Sequence, residues 1–144
     1  MVNNPEKVNS LLYAGPSVPL KYRNAIFAKI KRGLRRGNSY YKLIDQETFN
    51  RAYDAVIEMW LSRPAVLIRF VVVPEPSLED VIIGFSIFEG ATLHFVWVDP
   101  NLRREGLGRA LVPAGITAVS HLTTTGLGFW NAVIPGAIFN PFIS

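Results

Sequence analysis

Cysteine is absent from the chain, which excludes a disulfide framework and any thiolate metal site and makes a reducing, cytoplasmic setting the expected one. Nowhere do 18 apolar residues run together, and the polar stretch Met1 to Ser10 lacks the apolar core of a signal peptide, so neither membrane spanning nor secretion is expected. Zinc-ligand spacing, a P-loop and a defensible Ser/His/Asp set are missing as well. The most informative absence is charge: from Ala110 to Ser144 there is no Asp, Glu, Lys or Arg. Such a stretch is core or meets another chain, and a homo-oligomer or other protein partner held through residues 110–144 is the expectation.

The 144 residues amount to one domain. With 49% hydrophobic and 18% charged residues, they are unusually apolar for a soluble monomer. Charge is divided unevenly. Residues 1–44 carry nine Lys/Arg against Glu6 alone, a net +8, whereas residues 45–144 carry six basic and ten acidic groups, a net −4. The basic third suits a solvated helix face that attracts an acidic substrate or cofactor, with nucleic acid as the lesser alternative.

Hydrophobic spacing sets out the elements. Residues 1–20 read as an arm with one short strand at Leu11 to Ala14. Ile26, Phe27, Ile30 and Leu34 predict a basic amphipathic helix from Tyr22 to Leu34, its end marked by Gly33 and Gly37. Asp45 is the candidate N-cap of a second helix, lined by Phe49, Tyr53, Val56, Ile57, Trp60 and Leu61 and stopped by Arg63-Pro64. The period then changes to that of strands at Ala65 to Val73, Val81 to Phe88 and Thr92 to Val98, and their short connections predict an antiparallel meander. A helix from Leu102 to Ala114 capped by Gly115, a fourth strand at Ile116 to Thr123 and an edge strand at Phe129 to Ile134 complete the expectation. The fold class is α/β in the α+β sense: a mostly antiparallel mixed sheet flanked by helices, in one domain over residues 21–144.

The chemistry is expected where the third long strand gives way to a helix, in V-W-V-D-P-N-L-R-R-E-G-L-G-R-A-L from Val96 to Leu111. Gly106 and Gly108 let backbone N–H groups approach an anion without Cβ atoms in the way. Arg103, Arg104 and Arg109 bracket them, so free donors, a helix dipole and fixed cations together suit a pyrophosphate.

Arg103-x-x-Gly106-x-Gly108 at this junction, after helix, helix and three strands, resembles the GNAT N-acetyltransferase superfamily, whose acetyl-CoA motif is R/Q-x-x-G-x-G/A. Val98 five residues before the Arg, Pro100 in the turn and Ala110-Leu111 continuing the helix extend the likeness over residues 65–123. Ile83-Gly84-Phe85, Leu93 to Val98 and Phe139-Asn140-Pro141-Phe142 are similar to small GNAT-like bacteriophage proteins that read I-G-W, L-H-Y-V-Y-V and Y-N-P-Y. The resemblance implies a GNAT fold and transfer of acetyl from acetyl-CoA, without a metal, to a primary amine by direct attack. It implies a host-cytoplasmic or virion setting if the chain is phage-encoded. The amides of Arg104, Glu105, Gly106, Leu107, Gly108 and Arg109, with Arg103 flanking them, would hold the CoA diphosphate, and the main chain of Val96, Trp97 and Val98 would pair with pantetheine.

An attacking amine must be neutral, so a base is needed near the thioester. Strand alternation predicts Thr92, His94, Val96 and Val98 on one face and Leu93, Phe95 and Trp97 on the other. Some GNAT members carry a Glu or His on this strand. His94, with an ordinary pKa of about 6.5, takes that place here and Glu89 is the second candidate. Many GNAT enzymes protonate the departing thiolate with a late Tyr, but the last Tyr of this chain is Tyr53. The resemblance then leaves three outcomes: a bound water or His121 substitutes, or transfer is feeble, or the fold serves as a structural or interaction protein of a phage particle.

Overall fold

The computed structural model describes residues 8–37, 39–74, 80–102, 106–121, 134 and 136–141. The elements run β1 (Asn9–Ala14), α1 (Leu20–Gly37), α2 (Gln46–Ser62), β2 (Val66–Val73), β3 (Val81–Glu89), β4 (Thr92–Val98), α3 (Leu107–Leu111), β5 (Ala118–Val119) and β6 (Ile138–Phe139). They build one six-stranded sheet in the order β1-β2-β3-β4-β5-β6. β1 to β4 pair antiparallel, and β4–β5 and β5–β6 pair parallel. The crossover that the parallel β4–β5 pairing requires is the segment holding α3.

α2 begins where the sequence says it should. Asp45 Oδ2 accepts the Thr48 N–H at 3.1 Å, which satisfies one of the amides a helix start leaves unpaired, and the helix ends at Arg63, ahead of Pro64. α1 extends beyond the expected Tyr22 to Leu34. Gly33 lies inside it, where a Cβ would sit 3.4 Å from the Phe95 ring, and Arg35 and Arg36 occupy the last turn, facing the negative end of the dipole. Ile26, Ile30 and Leu34 of α1 and Phe49, Ile57, Trp60 and Leu61 of α2 bury against Val66, Ile68, Phe70, Phe85, Ile87 and Phe95 of the sheet. Ile83 to Phe88 are all buried because helices cover one face of β3 and α3 with its flanking chain covers the other.

The basic surface of α1 is partly neutralised within the fold. Lys31 Nζ lies 2.7 Å from Asp54 and Arg23 lies 3.3 Å from Glu58, both on α2, while Lys29 Nζ sits 4.6 Å from the centre of the Trp97 ring. Arg32 and Arg36 remain exposed.

Three expectations are corrected. The helix expected from Leu102 to Ala114 is a 3-10 turn at Pro100–Leu102 and then a five-residue α3. Pro113 disfavours the helical conformation at the residue before it, and Val112 is accordingly extended at φ −89°, ψ 119°. Gly115, with φ +84°, therefore serves a turn beyond the helix rather than capping it. The fourth strand covers Ala118–Val119, not Ile116 to Thr123 as far as the described residues reach, and β6 at Ile138–Phe139 was not foreseen. The edge strand expected at Phe129 to Ile134 lies outside the described residues except for Ile134.

Candidate active site

β4 is held to β3 through Ile87↔Phe95, Ser86↔Val96, Phe85↔Trp97 and Gly84↔Val98. On its other side the pairing with β5 runs through Thr92↔Ala118 and Leu93↔Val119, and the Ser120 N–H donates to Leu93 O at 3.0 Å. Among the described residues that ladder goes no further. The main chain of Val96, Trp97 and Val98 thus lies beyond the described part of that ladder.

After Val98 the chain turns: the Asp99 N–H donates to Ile83 O at 2.9 Å, and Asp99 Oδ1 accepts the Asn101 N–H at 2.9 Å. Arg103, Arg104 and Glu105 lie outside the described residues. Gly106 starts α3 in the left-handed region at φ +83°, and among the described residues a Cβ there would meet nothing within 4 Å. The Ala110 N–H donates to Gly106 O at 3.2 Å, and the amides of Leu107 and Gly108 stand before it at the start of α3. A left-handed glycine with open space above it is the geometry a close-approaching anion needs, and here the donors are local amides, since α3 is little more than one turn long. The Ser86 hydroxyl, buried on β3, donates to Leu111 O at 2.7 Å and fastens the other end of α3 to the sheet. Gly84 lets α3 sit close, since a Cβ there would fall 2.9 Å from Leu111 Cδ1 and 3.1 Å from Trp97 O.

His94 departs from the expected alternation. The register shifts between Ile87↔Phe95 and Phe88↔Leu93, so His94 is the extra residue of a β-bulge, and Leu93, His94 and Phe95 are buried in succession. Its ring stacks on Trp60 of α2 at 4.9 Å and 19°. It therefore shares the α1/α2 side with Phe95 and Trp97, whereas Val96 and Val98 pack with the α3 side.

Around this ring the structure assembles a polar chain. Arg63 lies 3.2 Å from Glu89 Oε1, the same oxygen lies 3.5 Å from His94 Nε2, His94 Nδ1 lies 2.7 Å from Ser120 Oγ, and that hydroxyl lies 2.9 Å from His121 Nδ1. His94 and Ser120 are fully buried, Glu89 keeps 32% of its side chain exposed, and the His121 ring meets Trp60 edge-on at 5.1 Å and Tyr53 at 5.8 Å. Burial lowers the pKa of His94 against the opposing pull of Glu89. Burial, aided by His94, lowers His121 to about 4. Both rings are neutral at pH 7.

The structure thus brings Glu89, His94 and His121 together and sets Gly106 beyond the far end of β4. Sequence reasoning missed Ser120 and Arg63, and it read Trp60 as core alone. Helical spacing could place Trp60 inward, but no local pattern announces that a bulge will turn His94 onto it. Among the described residues no cluster of metal-ligating side chains occurs, and no helix is long and apolar enough to cross a membrane.

No protein-family model and no curated protein sequence matches the chain. An aminoglycoside acetyltransferase from an uncultured soil metagenomic sample is similar in structure. Its complex with trehalose matches at a TM-score of 0.53 with 14% identity, over 92% of this chain and 91% of that one. Its complex with sisomicin matches at 0.52 with 14% identity, over 92% and 90%. The apo-form of YjaB from Escherichia coli matches at 0.44 with 15% identity, and a GNAT-family acetyltransferase from Desulfovibrio desulfuricans at 0.41 with 17%. Each of these two covers 72% of this chain, which spans only 60% of their length. At such identities the likeness is one of backbone arrangement, and the chain has the GNAT acetyltransferase fold.

Proposed function

We propose that this chain is an N-acetyltransferase that moves acetyl from acetyl-CoA to a primary amine of a small molecule or protein by direct attack in a ternary complex. The observation that carries the reading is the left-handed Gly106, which has no described atom within 4 Å of where a Cβ would lie, beside the amides of Leu107 and Gly108 and next to a β4 whose ladder with β5 reaches no further than Leu93 among the described residues. The residues present fit the group: a diphosphate takes several converging N–H donors, and a Cβ-free turn lets it reach them. Gly106, Leu107, Gly108 and Arg109, with Arg103, Arg104 and Glu105 before them, would hold the diphosphate, and the main chain of Val96, Trp97 and Val98 would pair with the pantetheine amides. When bound, acetyl-CoA supplies the activated acyl group. Backbone donors near Val98 face charge that develops on the acyl oxygen, and the amine's proton leaves toward the chain that links Glu89, His94, Ser120 and His121.

Melting the full chain with acetyl-CoA tests this. At about 100-fold over the dissociation constant, binding adds about 2.7 kcal/mol and raises Tm by several degrees. Gly106→Val should remove the shift, and a panel of primary amines that includes an aminoglycoside should release free thiol. A wild-type chain that melts unchanged in acetyl-CoA would sink the proposal.

A second reading is a GNAT-fold interaction protein with little or no turnover, for instance in a phage particle. It is favoured by the outermost strand β6, where Ile138 and Phe139 stay 70% and 42% exposed inside the uncharged segment, and by the lack of any Tyr after Tyr53. Retained acetyl-CoA binding without thiol release from any amine would select it. A nucleic-acid role for α1 loses ground because Arg23 and Lys31 are spent on α2.

A further inference from the structure

One hydroxyl proton in this fold is shared between two rings, and its direction can be worked out. Ser120 Oγ lies within hydrogen-bond distance of both His94 Nδ1 and His121 Nδ1. A hydroxyl donates one hydrogen, so one of those nitrogens accepts from Ser120 while the other donates to it. Glu89 decides which. Its carboxylate, paired with Arg63, only accepts, and it stands 3.5 Å from His94 Nε2. That contact is long, but the opposite arrangement would set a lone pair of the fully buried His94 ring against a negative oxygen. His94 therefore carries its proton on Nε2 and leaves Nδ1 bare. Ser120 donates to that bare nitrogen and accepts from His121 Nδ1–H, so the lone pair of His121 is on Nε2.

This ordering changes the roles of the two rings. Both nitrogens of His94 are engaged, so it has no lone pair to offer a substrate. His121 Nε2 makes no hydrogen bond among the described residues, and His121 lies two residues past Val119, the last β5 residue paired with β4 among the described residues. Trp60 and Tyr53 hold its plane.

We propose that His121 is the catalytic base, oriented through its Nδ1–H by Ser120, His94 and Glu89 as positioning residues; this rests on the N-acetyltransferase reading above. As the amine nitrogen bonds to the acyl carbon, its proton passes to His121 Nε2. As the carbon–sulfur bond breaks, the same proton passes to the leaving sulfur, so His121 ends neutral and the products are an amide and a thiol. One ring thereby covers both proton transfers in a chain with no tyrosine after Tyr53.

The test is long-range 1H–15N NMR of the full 15N-labelled chain at pH 7.5. The expected result is a bare Nδ1 in His94 and a bare Nε2 in His121, with Ser120→Ala releasing His121 to the Nε2–H form. A wild-type His121 protonated on Nε2, or a ring unmoved by Ser120→Ala, overturns the proposal. With an amine that the wild type acetylates, His121→Gln should lower kcat roughly 100-fold and keep the acetyl-CoA melting shift, whereas unchanged kcat overturns it. The two readings fail separately: absence of a wild-type acetyl-CoA shift removes both, and a shift together with the wrong tautomer removes this one alone.

Discussion

Acidification should weaken the fold through His121 by an amount that can be worked out in advance. Its pKa falls from 6.5 to about 4 on folding because burial and the His94 ring both oppose the charged form. The unfolded chain therefore takes up the proton first as pH drops, and the native state loses ground between pH 6.5 and 4. The full difference of about 2.5 units corresponds to about 3.4 kcal/mol, of which about 2.5 kcal/mol is lost by pH 4.5. Urea unfolding of the wild type and of His121→Gln at pH 7.5, 6.5, 5.5 and 4.5 isolates this contribution, because every other titrating group is common to both. The gap in unfolding free energy between wild type and variant should shrink by about 2.5 kcal/mol from the top of that range to the bottom. Some slope should persist in the variant, since burial lowers His94 in the same direction. Two curves that stay parallel would refute the reasoning and show that the ring is solvated in the native state.

Three further changes probe the frame of the site. Gly15→Ala would set a Cβ 2.7, 2.9 and 3.0 Å from the carbonyl oxygens of Trp60, Arg63 and Leu61; backbone cannot give way cheaply, so calorimetry should show a loss of about 1–3 kcal/mol or more. Asp45→Ala removes the acceptor for the Thr48 amide and should cost about 1 kcal/mol in urea unfolding, with acetyl-CoA affinity unchanged. Gly106→Ala has open space but the wrong φ, so it should lower stability by about 1–2 kcal/mol in thermal melts without any steric clash.

How far the sequence could be read follows from the range of the forces at each place. α2 was legible at both ends because Asp45 and Pro64 act on their own neighbours, and the β2–β3–β4 meander was legible because short connections leave little choice. The Gly106 turn showed itself for the same reason: a left-handed start needs glycine locally. β6 did not, because its two residues are strand only by virtue of pairing with β5, which lies far earlier in the chain. α3 was overestimated where the apolar spacing outran Pro113. His94 was placed on the wrong face because one inserted residue in β4 reverses the parity of all that precede it, and such an insertion depends on the partner strand rather than on its own sequence. Ser120 carried no signal at all: a serine acquires meaning there only when the imidazole of His94 on β4 and that of its neighbour His121 both reach it.

The bond from the Ser86 hydroxyl to the Leu111 carbonyl has a kinetic consequence. Five residues of helix would fray within a fraction of a microsecond in water if left alone. Tied to a strand buried on both faces, the Leu111 end of α3 is held to the sheet, so the hydrogen-bonded Ala110 amide should exchange with solvent water far more slowly than an isolated turn of helix would allow. The Gly106 carbonyl, which accepts the Ala110 N–H, belongs to the same unit, so the start of α3 is in place before any ligand arrives.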